Sequence, residues 1–253
     1  MNFNTTIGIR QVIRYEWMQY TLKLLESGLD EKSIKKELEV YLSTRRGSGQ
    51  IGRRSDCATS IAVTILMNIW ISPRENLLPF RDKLLKYSQQ PAFEKVCHWS
   101  MISAAYPFWF NICYVFGSLF KIQNQIKKTQ VMKRIYEILG ERNTVERCSR
   151  QVIRSLVSWG IIKDIEEKGI YEKGDIISIT DFSILSLLFE SALFSINDNK
   201  LQISSLNNCP AFFHFDFPLI NGTQLSKLND NIIVEQYSID NEYLSIKNKI
   251  IHS

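Results

Sequence analysis

Arg147, Arg150, Gln151 and Arg154 recur at i, i+3, i+4 and i+7, the spacing that gathers side chains on one face of a helix. A guanidinium can bridge the O6 and N7 edge of guanine, and a glutamine amide can pair with adenine in the same way. Three guanidinium groups and one amide on a single face are therefore equipped to read a nucleic acid or to hold its phosphates. On the same wheel Val145, Cys148, Val152, Leu156 and Trp159 gather on the opposite face. A helix from Asn143 to Trp159 would bury that stripe. Asn143 is placed to cap it, and Glu146 is placed to complete a capping box. Gly160 is a suitable left-handed stop.

The neighbouring sequence supplies elements to position such a helix. Thr129 to Leu139 is amphipathic through Val131, Ile135, Ile138 and Leu139, and it closes at Gly140. After Gly160 the runs IIKDIEEKG and IYEKGDIISI are two β-prone stretches about a turn. Helix, short turn, basic helix and hairpin make a winged helix-turn-helix, whose second helix enters the major groove. In that arrangement Arg147, Arg150 and Gln151 face base edges, Arg154 faces base or phosphate, and Lys133, Arg134 and Lys163 hold phosphate.

Charge placement points the same way. The net charge of +5 in 253 residues is modest. Residues 1–120 carry +5, residues 121–163 carry +7, and residues 164–253 carry −7 with no arginine. A +7 stretch is an anion-binding surface in waiting, or else a solvated helical face. The acidic segment could cover that surface, either in its own chain or in a second copy. The hydrophobic fraction of 45% and charged fraction of 23% suit a globular protein with a sizeable core.

Other motifs carry less. Gly47-Ser48-Gly49-Gln50-Ile51-Gly52 spells a dinucleotide fingerprint, but a charged helix and two arginines precede it where a hydrophobic strand is required. The stretch STRRGSGQIGRRS reads instead as a flexible loop whose Arg45, Arg46, Arg53 and Arg54 meet phosphates, or as a plain surface loop. His98 beside Cys97, with Cys113 further on, lacks a second closely spaced ligand pair. His214 and Asp216 would share one face of a strand, but four flanking phenylalanines suggest packing. With three histidines and no acid cluster, neither catalysis nor a metal or cofactor site is expected. Five scattered cysteines without CxxC suit a reducing cytoplasm. MNFNTTIGIRQ lacks an apolar signal core. Ala104–Phe120 approaches membrane-spanning length but contains Pro107 and Asn111, and a buried central helix is expected there.

The expected fold is mainly α with a β-containing C-terminal part. Residues 1–120 form a helical bundle, 121–180 the winged helix-turn-helix, and 181–253 a helix plus a β-rich acidic tail. Within the bundle, helices are expected over residues 10–27 and 31–42. Asp30 is placed to cap the second, and Leu29 and Ile34 to form a hydrophobic staple. In the tail, FFHFDF, NIIVEQYSI and EYLSIKN read as strands, the last two joined by a turn near Asp240-Asn241.

The order of the RYEWMQYTLKLLESGLDEKSIKKELE helices, the STRRGSGQIGRRS loop and a region ending in RQVIRSLVSWGII resembles the BrxA family of bacterial BREX phage-defence islands. The likeness is one of layout over residues 10–163. It implies a non-catalytic accessory factor that binds double-stranded DNA beside other defence-system proteins. The alternative is an assembly module whose winged helix docks an acidic protein surface.

Overall fold

The signals that open and close the first helices act locally. α1 (Tyr15–Glu26) ends before Gly28, whose φ of +75° suits a residue without Cβ. Asp30 accepts from the Ser33 amide at 2.8 Å and opens α2 (Glu31–Ser43). Ser55 opens α3 (Asp56–Leu66) by accepting from the Ala58 amide. The computed structural model describes residues 1–165, 169–238 and 241–247. Within them α3 widens into a π turn, Met67–Ile71. α4 (Leu78–Ser88) and α5 (Pro91–Ala105) follow, and Tyr106 separates α5 from α6 (Pro107–Phe120). Proline at the first helical position needs no amide donor, which explains why both α5 and α6 start on one.

Next come β1 (Gln125–Lys127), α7 (Lys128–Leu139), α8 (Asn143–Ser158), β2 (Ile162–Asp164) and β3 (Ile170–Lys173). β3 pairs antiparallel with both β1 and β2, giving the order β1-β3-β2. The chain continues through β4 (Ile177–Ser178), α9 (Phe182–Ser195), β5 (Leu201–Gln202) and α10 (Ile203–Asn207). A 3₁₀ turn at Pro210–Phe212 leads to β6 (Phe215–Asp216), α11 (Gly222–Leu228), β7 (Ile232–Ser238) and β8 (Asn241–Ile246). β4 pairs in parallel with β6, and β8 lies between β5 and β7. The molecule is thus mainly helical, with small sheets in its C-terminal part.

One continuous set of buried apolar side chains runs from Ile9 to Ile246. All five tryptophans are at most 2% exposed. α6 is apolar on nearly every side and is surrounded by protein. It meets the 3₁₀ turn so closely that a Cβ on Gly117 would lie 1.7 Å from the Pro210 carbonyl oxygen. Phe212 of that turn packs against Trp99, Phe110 and Phe189. Among the described residues no helix is long and apolar enough to cross a membrane.

Several local expectations are corrected. Residues 10–14 are not helical. Their backbone is held by α8 instead, where the Ile13 amide donates to Ser155 Oγ at 2.9 Å. Leu29 is 41% exposed and is not among the residues packed against the core, whereas Ile34 is buried in it. The capping box at Asn143 does not form: Arg142 is the extended residue before α8, and Glu146 pairs with Arg150. FFHFDF is a turn and a two-residue strand, because Phe212 is drawn into the aromatic core. Ile177-Ser178 leaves the expected hairpin for a different sheet. The turn residues Glu166–Lys168 and Asp240 lie outside the described residues.

Candidate nucleic-acid interface

α8 is amphipathic, and each face finds a different environment. Val145, Cys148, Val152, Leu156 and Trp159 are buried, as the wheel requires. Arg147, Arg150 and Arg154 are exposed and Gln151 is half-buried. The helix is fixed at its far end by the N-terminal segment. Besides the Ile13–Ser155 bond, Trp159 Nε1 donates to the Ile13 carbonyl. Its outer face is left for solvent or a partner.

The cations differ in what holds them. Arg150 forms an ion pair with Glu146 one turn away. Arg134 of α7 pairs with Glu137 at 2.8 Å, and Lys163 of β2 pairs with Asp175 at 2.8 Å. Lys163 holds the Asp175 carboxyl below the usual range by hydrogen bond and charge. These pairs are solvated and add little to stability. Among the described residues Arg147, Arg154 and Lys133 make no ion pair.

The arginine-rich loop between α2 and α3 is a braced turn, not a flexible one. Arg46 N donates to Gln50 O at 2.9 Å, Gly49 N to Arg46 O at 2.8 Å and Gly52 N to Thr44 O at 2.9 Å. Its four arginines point to different fates. Arg46 and Arg53 are exposed. Arg45 lies 3.7 Å over the Tyr41 ring and donates to the Tyr41 carbonyl. Arg54 is only 7% exposed, lies over Trp17 at 4.9 Å and donates through Nη2 to Gln11 Oε1 at 3.0 Å. Its Nη1 has no partner, and burial pulls its pKa below the arginine norm. Arg54 is a packing residue here, unlike its neighbours.

Arg14 was not singled out by the sequence. It pairs with Glu16, and its Nη1 donates to the Ser48 carbonyl at 2.8 Å. That contact brings the loop beside α8. Between them runs a groove of about 1050 Å³, walled by Arg14, Ser48, Lys128, Gln151, Arg154 and Tyr171. Among the described residues Asp164 is the one acid lining it. Gln151 and Arg154 thus share a groove with two cations absent from the sequence reading, Arg14 and Lys128. Lys133 and Arg134 do not line it, and each borders a separate shallow cleft. Nothing local in the sequence marks Arg14, whose partner lies 34 positions away.

The groove can hold anions and donate hydrogen bonds, and among the described residues no cysteine or histidine lines it. The two described histidines, His98 and His214, instead serve packing. His98 is fully buried, accepts from Trp70 Nε1 at 3.0 Å and sits 3.7 Å from Glu94. Burial lowers its pKa. His214 is buried while Asp216 is exposed, so the two do not form a dyad. Burial pushes the Cys209 thiol up to about 12, and Cys97 and Cys113 upward as well. Such thiols are not activated nucleophiles.

Of the acidic segment 164–253, Asp164 lines the groove and Asp175 pairs with Lys163. The segment's other described ion pairs are Lys83–Asp230 and Lys200–Glu235. Among the described residues no acid of 200–247 pairs with a cation of α7 or α8. Comparison with known proteins gives no relative: no family model, curated protein or solved structure matches the chain.

Proposed function

We propose that the chain binds double-stranded DNA through a winged helix-turn-helix formed by α6, β1, α7, α8, β2 and β3. The order of these elements and the sheet order β1-β3-β2 support the reading. So does the short connection of residues 140–142 between α7 and α8. The observation that carries it is the outer face of α8. Arg147, Arg150 and Arg154 are exposed there and Gln151 is half-buried, and Gln151 and Arg154 line a groove that adds Arg14 and Lys128. With α8 in the major groove, the loop with Arg46 and Arg53 and the hairpin with Lys163 would meet flanking phosphates.

Binding through phosphates must weaken steeply with salt, with a slope near −0.9 per contact. Fluorescence anisotropy on duplex DNA over a salt series tests this. The double variant Arg147→Ala/Arg150→Ala should lose affinity for every duplex, and more on a preferred site. If it binds all duplexes as tightly as the wild type, α8 is not the DNA surface, and docking of an acidic protein becomes the better reading.

The resemblance of the sequence to the BrxA family extends the proposal to an accessory role in phage defence, without catalysis of its own. In a host carrying such a system, removing the gene should raise phage plating. Unchanged plating would remove this extension and leave the DNA-binding proposal standing.

A further inference from the structure

A second concavity shares no residue with the α8 groove. It holds about 360 Å³, near the small end of ligand pockets, which span roughly 300–1,000 Å³. That is room for a small metabolite and not for a nucleic-acid chain. It forms where three pieces of chain meet: the N-terminal segment, the π turn after α3, and the break between α5 and α6.

Each piece contributes a polar group by a definite local cause. The π turn gives an extra residue to the helix and shifts the side-chain register, a feature often found at functional sites. Here it leaves Asn68 exposed on the cleft wall, with Nδ2 donating to the Tyr106 hydroxyl at 3.3 Å. Tyr106 is the break residue, and burial raises its pKa, so its hydroxyl keeps its proton at neutral pH. The N-terminal segment crosses the Tyr106 ring at Gly8, where a Cβ would lie 2.5 Å from the ring. This close passage fixes the ring and brings Thr6 to the cleft.

Arg74 completes the site. One of its N–H groups caps the end of α5, donating to the Ala104 carbonyl at 3.0 Å. A guanidinium has five donors, and the cap uses one. Arg74 makes no ion pair among the described residues. Its side chain stays exposed at the cleft, and partial burial lowers its pKa from the arginine norm. Among the described residues no carboxylate lines the cleft. Glu31, outside it, accepts from Ser72 Oγ at 3.0 Å. Pro73, Leu77, Ala105 and Pro107 supply the apolar remainder.

We infer that this cleft binds a small organic anion, a carboxylate or phosphate monoester on a short apolar body, with Arg74 as its charge partner and Asn68, Tyr106 and Thr6 as hydrogen-bonding groups. The planar fork of Arg74 matches either oxyanion. The inference does not depend on DNA binding.

The test is a ¹H–¹⁵N titration of the full chain with succinate, with glycerol 3-phosphate and with inorganic phosphate, against sodium chloride at matched ionic strength. Saturable shifts at residues 68, 74 and 106 are expected from at least one organic probe and not from chloride. The tighter of succinate and glycerol 3-phosphate identifies the head group. Arg74→Gln should weaken binding by about tenfold or more, as loss of a charge-assisted hydrogen bond does. Arg74 also caps α5, so that variant can unfold. Asn68→Asp at an exposed position keeps the fold and should weaken binding about as much by repulsion. No saturable shift from any of the three probes, shifts from inorganic phosphate alone, or unchanged binding in Asn68→Asp overturns the inference.

Discussion

Trp159 Nε1 donates to the carbonyl of Ile13 at 2.9 Å, joining residues 146 positions apart. The Ile13 amide donates to Ser155 Oγ on the same helix. The next residue, Arg14, holds the Ser48 carbonyl. Ile13 and Arg14 therefore set the spacing between α8 and the arginine-rich loop. Trp159→Phe keeps most of the ring and leaves the buried Ile13 carbonyl without its partner. A loss of about 1–3 kcal/mol is expected in urea denaturation. Full retention of stability would show that water or a local shift replaces the bond.

Lys163 and Asp175 make a prediction about affinity in both directions. Asp175→Asn releases Lys163 for phosphate. Affinity should rise on every duplex alike, and the salt slope should steepen by about 1. Lys163→Ala should do the reverse. Arg150→Ala, by contrast, should cost about 1–3 kcal/mol on a preferred site and flatten the preference there. A sequence-dependent response to Asp175→Asn would contradict the proposed phosphate role of Lys163.

The loop arginines divide by burial. Arg46→Ala/Arg53→Ala should reduce the salt slope by about 2 while leaving the melting temperature unchanged. Arg54→Ala should keep the slope and lose about 1–3 kcal/mol of stability, since its stem and guanidinium pack over Trp17. A flattened slope with intact stability in Arg54→Ala would return this residue to the DNA surface.

His214 predicts an acid sensitivity. Its ring lies 5.6 Å from Trp99 and 4.0 Å from Phe215, and neither nitrogen has a partner. Burial lowers its pKa from 6.5 to about 3. The unfolded chain takes up the proton first, so this contribution is present above about pH 6.5 and is lost as pH falls towards 3. Between pH 7 and 5 the loss is on the order of 2 kcal/mol. His214→Leu should remove that part of the slope and be no less stable at pH 7. His98, shifted in the same direction by burial, adds to the slope, as do carboxylates held low by hydrogen bonds such as Glu94. Equal slopes in wild type and variant would refute the assignment.

What was legible in the sequence was what depends on near neighbours. The α8 wheel separated buried from exposed residues correctly, because a helix fixes side-chain direction by position alone. Asp30 and Ser55 cap as their types suggest. The misses have distant causes. Residues 10–14 carry helical periodicity, but Ser155 and Trp159 take their backbone bonds. Gln125-Ile126-Lys127 has one apolar residue, Ile126, and is a strand only because β3 pairs with it. Arg46 and Arg54 are the same residue type in one short run, and only Trp17 and Gln11 decide which is drawn inside. Arg14 joins the candidate site through a loop carbonyl that no local motif announces.

The contact of Gly117 with Pro210 bears on how this molecule can change over time. The two positions lie in the expected bundle and the acidic tail, and any side chain at one pushes the other away. Exchange of residues 1–180 for those of another protein would succeed only if glycine arrived at this point and the aromatic surface around it matched. Shuffling of large pieces is therefore a poor route to variety here. Single substitutions on the outer face of α8 are better tolerated, because a changed side chain there leaves the core untouched.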